Sequence, residues 1–325
     1  MPTMLLSPTR RSIVELAAGN LLLGTLGVFV VESGQDAVSI VFYRCLIGAL
    51  ALGLYGRWAG WLSLRAASRG TLLLALLTGV LMAGNWVLFT AALGRVGIAL
   101  ATIVFHVQPF LVLLIGAFVF GDRLTAVRLA WVGVAFAGLV AAIGPEALLH
   151  GVDDSYLIGI GCALGGAFLY AWVTLLAKRV TSVRAPMLTF IQCLVGVPLL
   201  ALLDPVSPLV LSGAQWGWLA GIGLIHTGLV YVLIYGALPG LATPVIAVLT
   251  FLYPASAVLV DAAVYGRLIG LPQAIGLALI VLASLGVTLG WSGSGSRINR
   301  AGISSASPWR LPRPAVPRQG RSRRR

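Results

Sequence analysis

The sequence predicts an all-α integral membrane protein of ten transmembrane helices, arranged as two five-helix inverted repeats. Of its 325 residues, 59% are hydrophobic and 10% are charged, whereas soluble domains carry about 25% charged residues. A bilayer core about 30 Å thick requires roughly 20 apolar residues per helix, and runs of this length follow one another along most of the chain. The second half of the chain also repeats the first at a fixed offset.

Charged residues and clusters of glycine and proline bound ten apolar runs, which we take as the predicted spans. They cover about 12–31, 38–56, 71–93, 96–120, 126–144, 157–177, 187–203, 215–238, 241–265 and 269–290. The runs are continuous and lack the alternation of a barrel strand, so they predict helices. The first run lacks a small-x-small cleavage site, and we expect it to remain in the membrane.

Basic residues predict the orientation, because lysine and arginine are retained on the cytoplasmic side. With the N-terminus inside, the inner segments hold Arg10, Arg11, Arg57, Arg65, Arg69, Arg123, Arg128, Lys178, Arg179 and Arg184, and nine arginines follow residue 291. The outer loops hold two basic residues, Arg95 and Arg267, and most of the acids. We therefore expect a multi-pass protein of the inner (plasma) membrane with both termini in the cytoplasm.

The C-terminal sequence SPWRLPRPAVPRQGRSRRR accounts for much of the net charge of +13. We expect a disordered tail that contacts anionic lipid, rather than an arm that binds nucleic acid. Cys45, Cys162 and Cys193 all fall inside predicted spans, so no disulfide framework is expected.

An internal repeat supports the two-half arrangement. An offset of 145 residues aligns 86–121 with 231–266 without a gap, and it places Pro109 on Pro254 and Gly121 on Gly266. Each half then has five spans, and an odd number predicts that the second half enters the membrane the opposite way up. The predicted parts are a cytoplasmic N-terminus 1–11, a first repeat 12–144, an outer linker 145–156, a second repeat 157–290 and the tail 291–325.

The repeated segments resemble the drug/metabolite transporter superfamily, specifically its EamA-type branch. The resemblance rests on FTAALGRVGIALATIVFHVQPFLVLL followed by FGDRL, on YGALPGLATPVIAVLTFLYPASAVLVDAAVYGRL in the second half, and on the arginine in FYRCLIGAL. It covers all ten spans. It implies a ten-helix inverted repeat that moves small metabolites or amino acids, often outward.

Polar and aromatic residues near the middle of the spans give a candidate substrate site. Lipid cannot satisfy such groups, so they must face another helix or a wet cavity. The candidates are Asn85, Trp86, His106, Gln108, His226, Tyr231 and Tyr253. For each, a helix-to-helix hydrogen bond or simple packing is the alternative. Pro109 and Pro254 each remove a backbone donor, so both copies are expected to bend beside the site.

The charged residues of the spans narrow the expected substrate. No acid is predicted at the midplane, which favours a neutral or zwitterionic substrate; if transport is proton-coupled, His106 and His226 are the obvious titrating groups. For Arg44 we favour a side chain that reaches outward or holds a loop acid such as Glu32 or Asp36, with a role in substrate binding as the alternative. Asp261 is expected to be solvated at the interface or paired with Arg95 or Arg267.

These features predict a secondary transporter, with export of small neutral or zwitterionic metabolites such as amino acids by alternating access. A channel or sensor is one alternative. A membrane-embedded enzyme is another, although the sequence lacks HExxH, GxSxG and Asp-rich prenyl-diphosphate motifs. Its single lysine, Lys178, lies outside any phosphate loop, and the two midplane histidines have no third ligand, so neither a cofactor nor a metal is expected. A homodimer remains open.

Overall fold

The structure, a computed structural model, describes residues 8–62, 67–121, 125–143, 153–180, 183–203, 211–241 and 243–291. Over these residues the chain is helical and contains no β-strand. The first half holds α1 Pro8–Gly24, α2 Leu26–Ser33, α3 Ala37–Trp58, α4 Arg69–Val96, α5 Ile98–Phe105, α6 Gln108–Phe120 and α7 Ala126–Ile143. The second half holds α8 Asp154–Ala177, α9 Ala185–Leu203, α10 Gly213–Gly221, a π-helix Ile222–Leu229, α11 Val230–Ala237, a 3₁₀ turn Leu238–Gly240, α12 Thr243–Thr250, α13 Leu252–Tyr265 and α14 Leu271–Leu289.

Nine helical segments of the described chain are long and apolar enough to cross a membrane. They are Thr9–Ser33, Ala37–Trp58, Arg69–Val96, Ile98–Val119, Ala126–Ile143, Asp154–Ala177, Ala185–Leu203, Gly213–Gly240 and Val248–Tyr265, and each coincides with a predicted span. The tenth predicted span coincides with α14, whose apolar part Leu271–Val287 is shorter. The outside of the bundle is apolar: Phe118 is 83% exposed and Leu259 is 68% exposed, as expected for a surface that faces lipid.

Two spans break at corresponding places in the two copies. α5 ends at Phe105 and α6 begins at Gln108, just before Pro109, while α12 ends at Thr250 and α13 begins at Leu252, just before Pro254. A proline has no backbone N–H, so each break leaves a carbonyl of the preceding turn without its helical donor. Each break lies beside one of the two prolines at which a bend is predicted.

Matching glycines end the two broken spans. Gly121 follows α6 with φ 72°, and Gly266 follows α13 with φ 66°. Glycine adopts this left-handed conformation at little cost, which makes it the usual residue after a helix end. Both glycines therefore terminate their helices in the same way, 145 residues apart.

The most extensive helix packing joins the two halves of the chain. α4 packs on α8, α7 packs on α14, and α3 packs on α9. Between α7 and α14 the backbones approach closely: a Cβ atom added at Gly276 would lie 2.5 Å from the carbonyl oxygen of Gly138 and 2.6 Å from the Cβ of Ala142. Small residues at such crossings allow close packing without any gain from the hydrophobic effect, since lipid is equally apolar.

We expect Gly276→Val to destabilise the protein, because its side chain would force α7 and α14 apart at a cost of about 1–3 kcal/mol. Thermal unfolding in detergent measures the loss. The matched control is Gly133→Val on the exposed side of α7, where an added Cβ meets nothing within 4 Å. Equal melting temperatures for the two variants would contradict close packing at this crossing.

Candidate functional site

Half-buried aromatic rings from both halves meet beside the breaks of the two proline-containing spans. The rings of His106 and Tyr253 lie 5.3 Å apart between centroids, which joins the break in the first half to the one in the second. His106 Nδ1 lies 2.7 Å from the carbonyl oxygen of Thr102, so Nδ1 carries the proton and donates it. Nε2 has no hydrogen-bond partner among the described residues. This nitrogen therefore remains available to a solute.

Four further half-buried rings lie in this region. Phe105 and Tyr170 have ring centroids 5.8 Å apart, and those of Tyr231 and Tyr235 are 5.6 Å apart. Phe105, Tyr170 and Tyr235 were not among the residues predicted to form the site. For Tyr235 a signal was present, since it continues the four-residue spacing of Thr227 and Tyr231. Nothing comparable marks Tyr170, whose place depends on how α8 packs.

Gln108 begins α6 and points to the second half of the chain. Its side-chain amide donates to Thr174 Oγ1 at 3.4 Å, a long hydrogen bond, and the residue is half-buried. Of the seven residues predicted to form the site, His106, Gln108, Tyr231 and Tyr253 thus keep accessible surface.

Asn85 and His226 are buried and bond to other helices. Asn85 is 2% exposed and donates to the carbonyl oxygen of Gly166 at 2.8 Å. His226 is 0% exposed; its Nε2 lies 3.0 Å from Thr25 Oγ1, and its Nδ1 lies 3.3 Å from the carbonyl oxygen of Gly221. In this conformation both side chains hold helices together.

Arg44 lies inside the bundle, which corrects the expectation that it reaches a loop acid. It is 3% exposed, and its Nε donates to Thr227 Oγ1 at 3.0 Å. Its guanidinium carbon lies 4.4 Å from the ring centroid of Trp86, which is itself buried. Arg44 thus joins α3 to the π-helix of the second half.

The two loop acids named for Arg44 have other partners. Glu32 accepts a hydrogen bond from the hydroxyl of Tyr265 at 2.9 Å. Asp36 caps α3 and accepts from the backbone N–H groups of Val38 and Ser39 at 2.9 and 3.0 Å. Partial burial raises the pKa of Asp36, but these hydrogen bonds outweigh burial and hold it below its usual value. Both carboxylates are therefore engaged where they are.

Asp261 lies in α13 near the end of the bundle, beside the start of α5. It is 2% exposed, and Oδ2 accepts from the backbone N–H of Ala99 at 3.0 Å. Oδ1 lies 4.0 Å from Arg267 Nη1, so the expected pairing with Arg267 is confirmed at the limit of an ion pair. A cavity of about 390 Å³ opens here, lined also by Tyr156 and Gln273. It is separate from the aromatic rings at the helix breaks.

Removing the Asp261 carboxylate is expected to destabilise the start of α5. Asp261→Ala leaves the buried N–H of Ala99 without an acceptor, at a cost of about 1–3 kcal/mol. Asp261→Asn keeps an acceptor oxygen and is expected to lose less. Thermal unfolding of the two variants in detergent checks this, and an alanine variant as stable as the asparagine variant would show that the hydrogen bond contributes nothing.

Within the described part of the chain, no group of three histidine, cysteine or acidic side chains is placed to hold a metal ion. Membrane-length apolar helices that enclose polar and aromatic side chains define a multi-pass membrane protein. The chain belongs to the EamA-like transporter family, whose sequence profile matches residues 12–144 and 157–289. The resemblance noted in the sequence is thus confirmed.

Two relatives are described as transporters. One, "Uncharacterized transporter YxxF" of Bacillus subtilis (strain 168), is 29% identical over 285 residues, which cover 86% of this chain and 89% of that protein. Another, an "Uncharacterized transporter" of Archaeoglobus fulgidus, is 26% identical over 273 residues, covering 83% of this chain and 92% of the relative.

A protein of known crystal structure superposes on this chain with a TM-score of 0.62 at 22% identity. The superposition covers 87% of this chain and 98% of that protein. At this level of identity the likeness shows a shared fold.

Proposed function

We propose that this protein is a secondary transporter that exports small neutral or zwitterionic metabolites, such as amino acids, by alternating access. One observation carries the proposal: half-buried polar and aromatic side chains from both halves meet where two membrane spans break. His106 and Tyr253, with ring centroids 5.3 Å apart, join the two breaks. Family membership supports transport over enzymatic chemistry.

The proposed architecture is a ten-helix inverted repeat. The matched breaks before Pro109 and Pro254 support it, as do the matched helix ends at Gly121 and Gly266. We propose that the protein lies in the inner membrane with both termini in the cytoplasm. This orientation rests on the distribution of basic residues. The basic tail, which lies outside the described residues, would then meet the anionic cytoplasmic leaflet.

The proposed substrate contacts are the side chains that retain accessible surface: His106, Gln108, Tyr231 and Tyr253. Hydrogen bonds and aromatic faces can together hold a small polar solute. Trp86 contributes to the site indirectly, through the contact of its ring with the guanidinium group of Arg44. Asn85 and His226 contribute through the helices that they hold in place.

Counterflow in proteoliposomes tests the proposal. Vesicles preloaded with a mixed pool of amino acids and small metabolites are given labelled external solutes, and mass spectrometry identifies what exchanges. We expect selective, saturable exchange by the wild type and at least a tenfold loss in His106→Ala. The matched control is Phe118→Ala in the same span, which faces outward at 83% exposure and is expected to exchange normally.

Each result has a distinct meaning. A carrier exchanges labelled for unlabelled solute, whereas a channel only equilibrates it. Exchange that survives His106→Ala would remove His106 from the site. If the folded, inserted wild type exchanges nothing, the transporter proposal itself fails.

Coupling to protons is proposed to involve His106, whose Nε2 has no hydrogen-bond partner among the described residues. An imposed pH gradient is therefore expected to drive accumulation in the wild type. His106→Gln keeps hydrogen-bonding groups but cannot titrate, so it is expected to exchange solute without responding to the gradient. An unchanged response would show that the coupling group is another residue or that transport is not proton-coupled.

A further inference from the structure

The contacts of Arg44 fix the orientation of its guanidinium group. Its Nε–H donates to Thr227 Oγ1 at 3.0 Å, and the ring of Trp86 lies over the group at 4.4 Å from its carbon. Thr227 is held in turn by its own donation to the carbonyl oxygen of Ile222 at 3.3 Å, within the π-helix. The Nε edge and one face of the guanidinium are therefore occupied. The edge formed by its two Nη nitrogens remains unoccupied by the described residues.

Nothing in the described part of the chain neutralises Arg44. Neither Arg11 with Glu15 nor Arg267 with Asp261, the ion pairs seen there, involves Arg44, and no described carboxylate lies within 4.0 Å of its guanidinium. Its Nη nitrogens have no acceptor among the described residues either. An unpaired charge is costly to bury, and ionisable residues within membrane spans characteristically have a partner. An anion from outside the described chain would supply that partner.

The geometry favours a carboxylate as that anion. The two Nη nitrogens form a planar fork, which matches the two oxygens of a carboxylate in parallel hydrogen bonds. One positive charge balances a monocarboxylate, whereas a phosphate dianion would retain a net charge inside the membrane. Trp86, over which the guanidinium lies, belongs to a hydrophobic cluster against which Tyr170 and Tyr231 pack, so the anion would lie next to the proposed site.

We propose that Arg44 binds the carboxylate of the transported solute, and that the substrates are amino acids or other small monocarboxylates. This rests on the proposed transport function and specifies its substrate class. Arg44 is then the residue that distinguishes an acid from its amide. The aromatic rings and His106 hold the remainder of the molecule.

Two measurements test the assignment on the full-length protein. The first uses the wild type alone: counterflow and thermal stabilisation in detergent are measured with the twenty amino acids, the corresponding amino acid amides, small monocarboxylic acids, inorganic phosphate and chloride. We expect carboxylates to exchange and to raise the melting temperature, because a ligand that binds the folded state stabilises it. Amides at equal concentration are expected to give at least a tenfold weaker response.

The second measurement uses variants of Arg44. Arg44→Gln is expected to lose exchange of carboxylates at least tenfold, and Arg44→Lys to retain part of it, since lysine keeps the charge without the fork. Arg57→Gln is the matched control: it removes an exposed arginine near the other end of the same helix and is expected to exchange normally.

The outcomes separate this assignment from the transport proposal. If the wild type exchanges acids and amides equally, transport stands and the role of Arg44 is overturned. The role is equally overturned if Arg44→Gln is less stable but exchanges carboxylates at the wild-type rate, or if phosphate or chloride alone stabilises the protein. If no solute exchanges and no carboxylate stabilises the protein, both proposals fail.

Discussion

Lipid offers no hydrogen-bond partner, so polar side chains within membrane spans must find partners elsewhere in the protein. Several of them pair across the two halves. These pairs are Thr25 with His226, Glu32 with Tyr265, Arg44 with Thr227, Thr78 with Gln192, Asn85 with Gly166, Ala99 with Asp261, and Gln108 with Thr174. The surface between the halves thereby becomes the polar region of an otherwise apolar bundle. A solute that needs hydrogen bonds would find them there.

The strengths of these contacts also suit a structure that changes shape. Hydrogen bonds between membrane helices contribute about 0.6–2 kcal/mol each, so a motion that exchanges a few of them costs little. The crossing of α7 and α14 is different, because Gly138 and Gly276 bring backbones into close contact over a shared surface. In the proposed alternating access, that crossing is suited to remain intact while the polar pairs rearrange. The breaks before Pro109 and Pro254 lack a helical backbone hydrogen bond, so in the proposed motion they are the places suited to bend.

The sequence predicts the helices better than their partners. Apolar run length and the 145-residue offset anticipate the spans, both breaks and the paired terminal glycines, because each depends on residues close together in the chain. The break at Thr25 and the π-helix at His226 were not anticipated. They face one another across the two halves, at 3.0 Å between side chains. Such a pairing depends on how two distant helices align, which local periodicity does not encode.

Arg44 illustrates the same limit. Its position near one end of a span favoured an outward-reaching side chain, since depth can be read from sequence while the direction of a side chain cannot. The structure turns it inward to Thr227 and Trp86, while the nearby acids Glu32 and Asp36 have other partners. Direction, rather than depth, decides whether an arginine anchors a helix at the interface or adds charge to the interior.

A zwitterionic substrate would explain why the interior carries the positive charge of Arg44 although no acid is predicted at the midplane. Its carboxylate would neutralise Arg44, while its ammonium group needs no protein carboxylate. Aromatic faces attract cations, most strongly when water is excluded, and Tyr231 and Tyr253 are half-buried rings of the proposed site. One fixed positive charge among aromatic rings thus complements a molecule with both charges. An organic dication would meet the same arginine as a repulsive charge, so the proposed site would disfavour polycations by electrostatics alone.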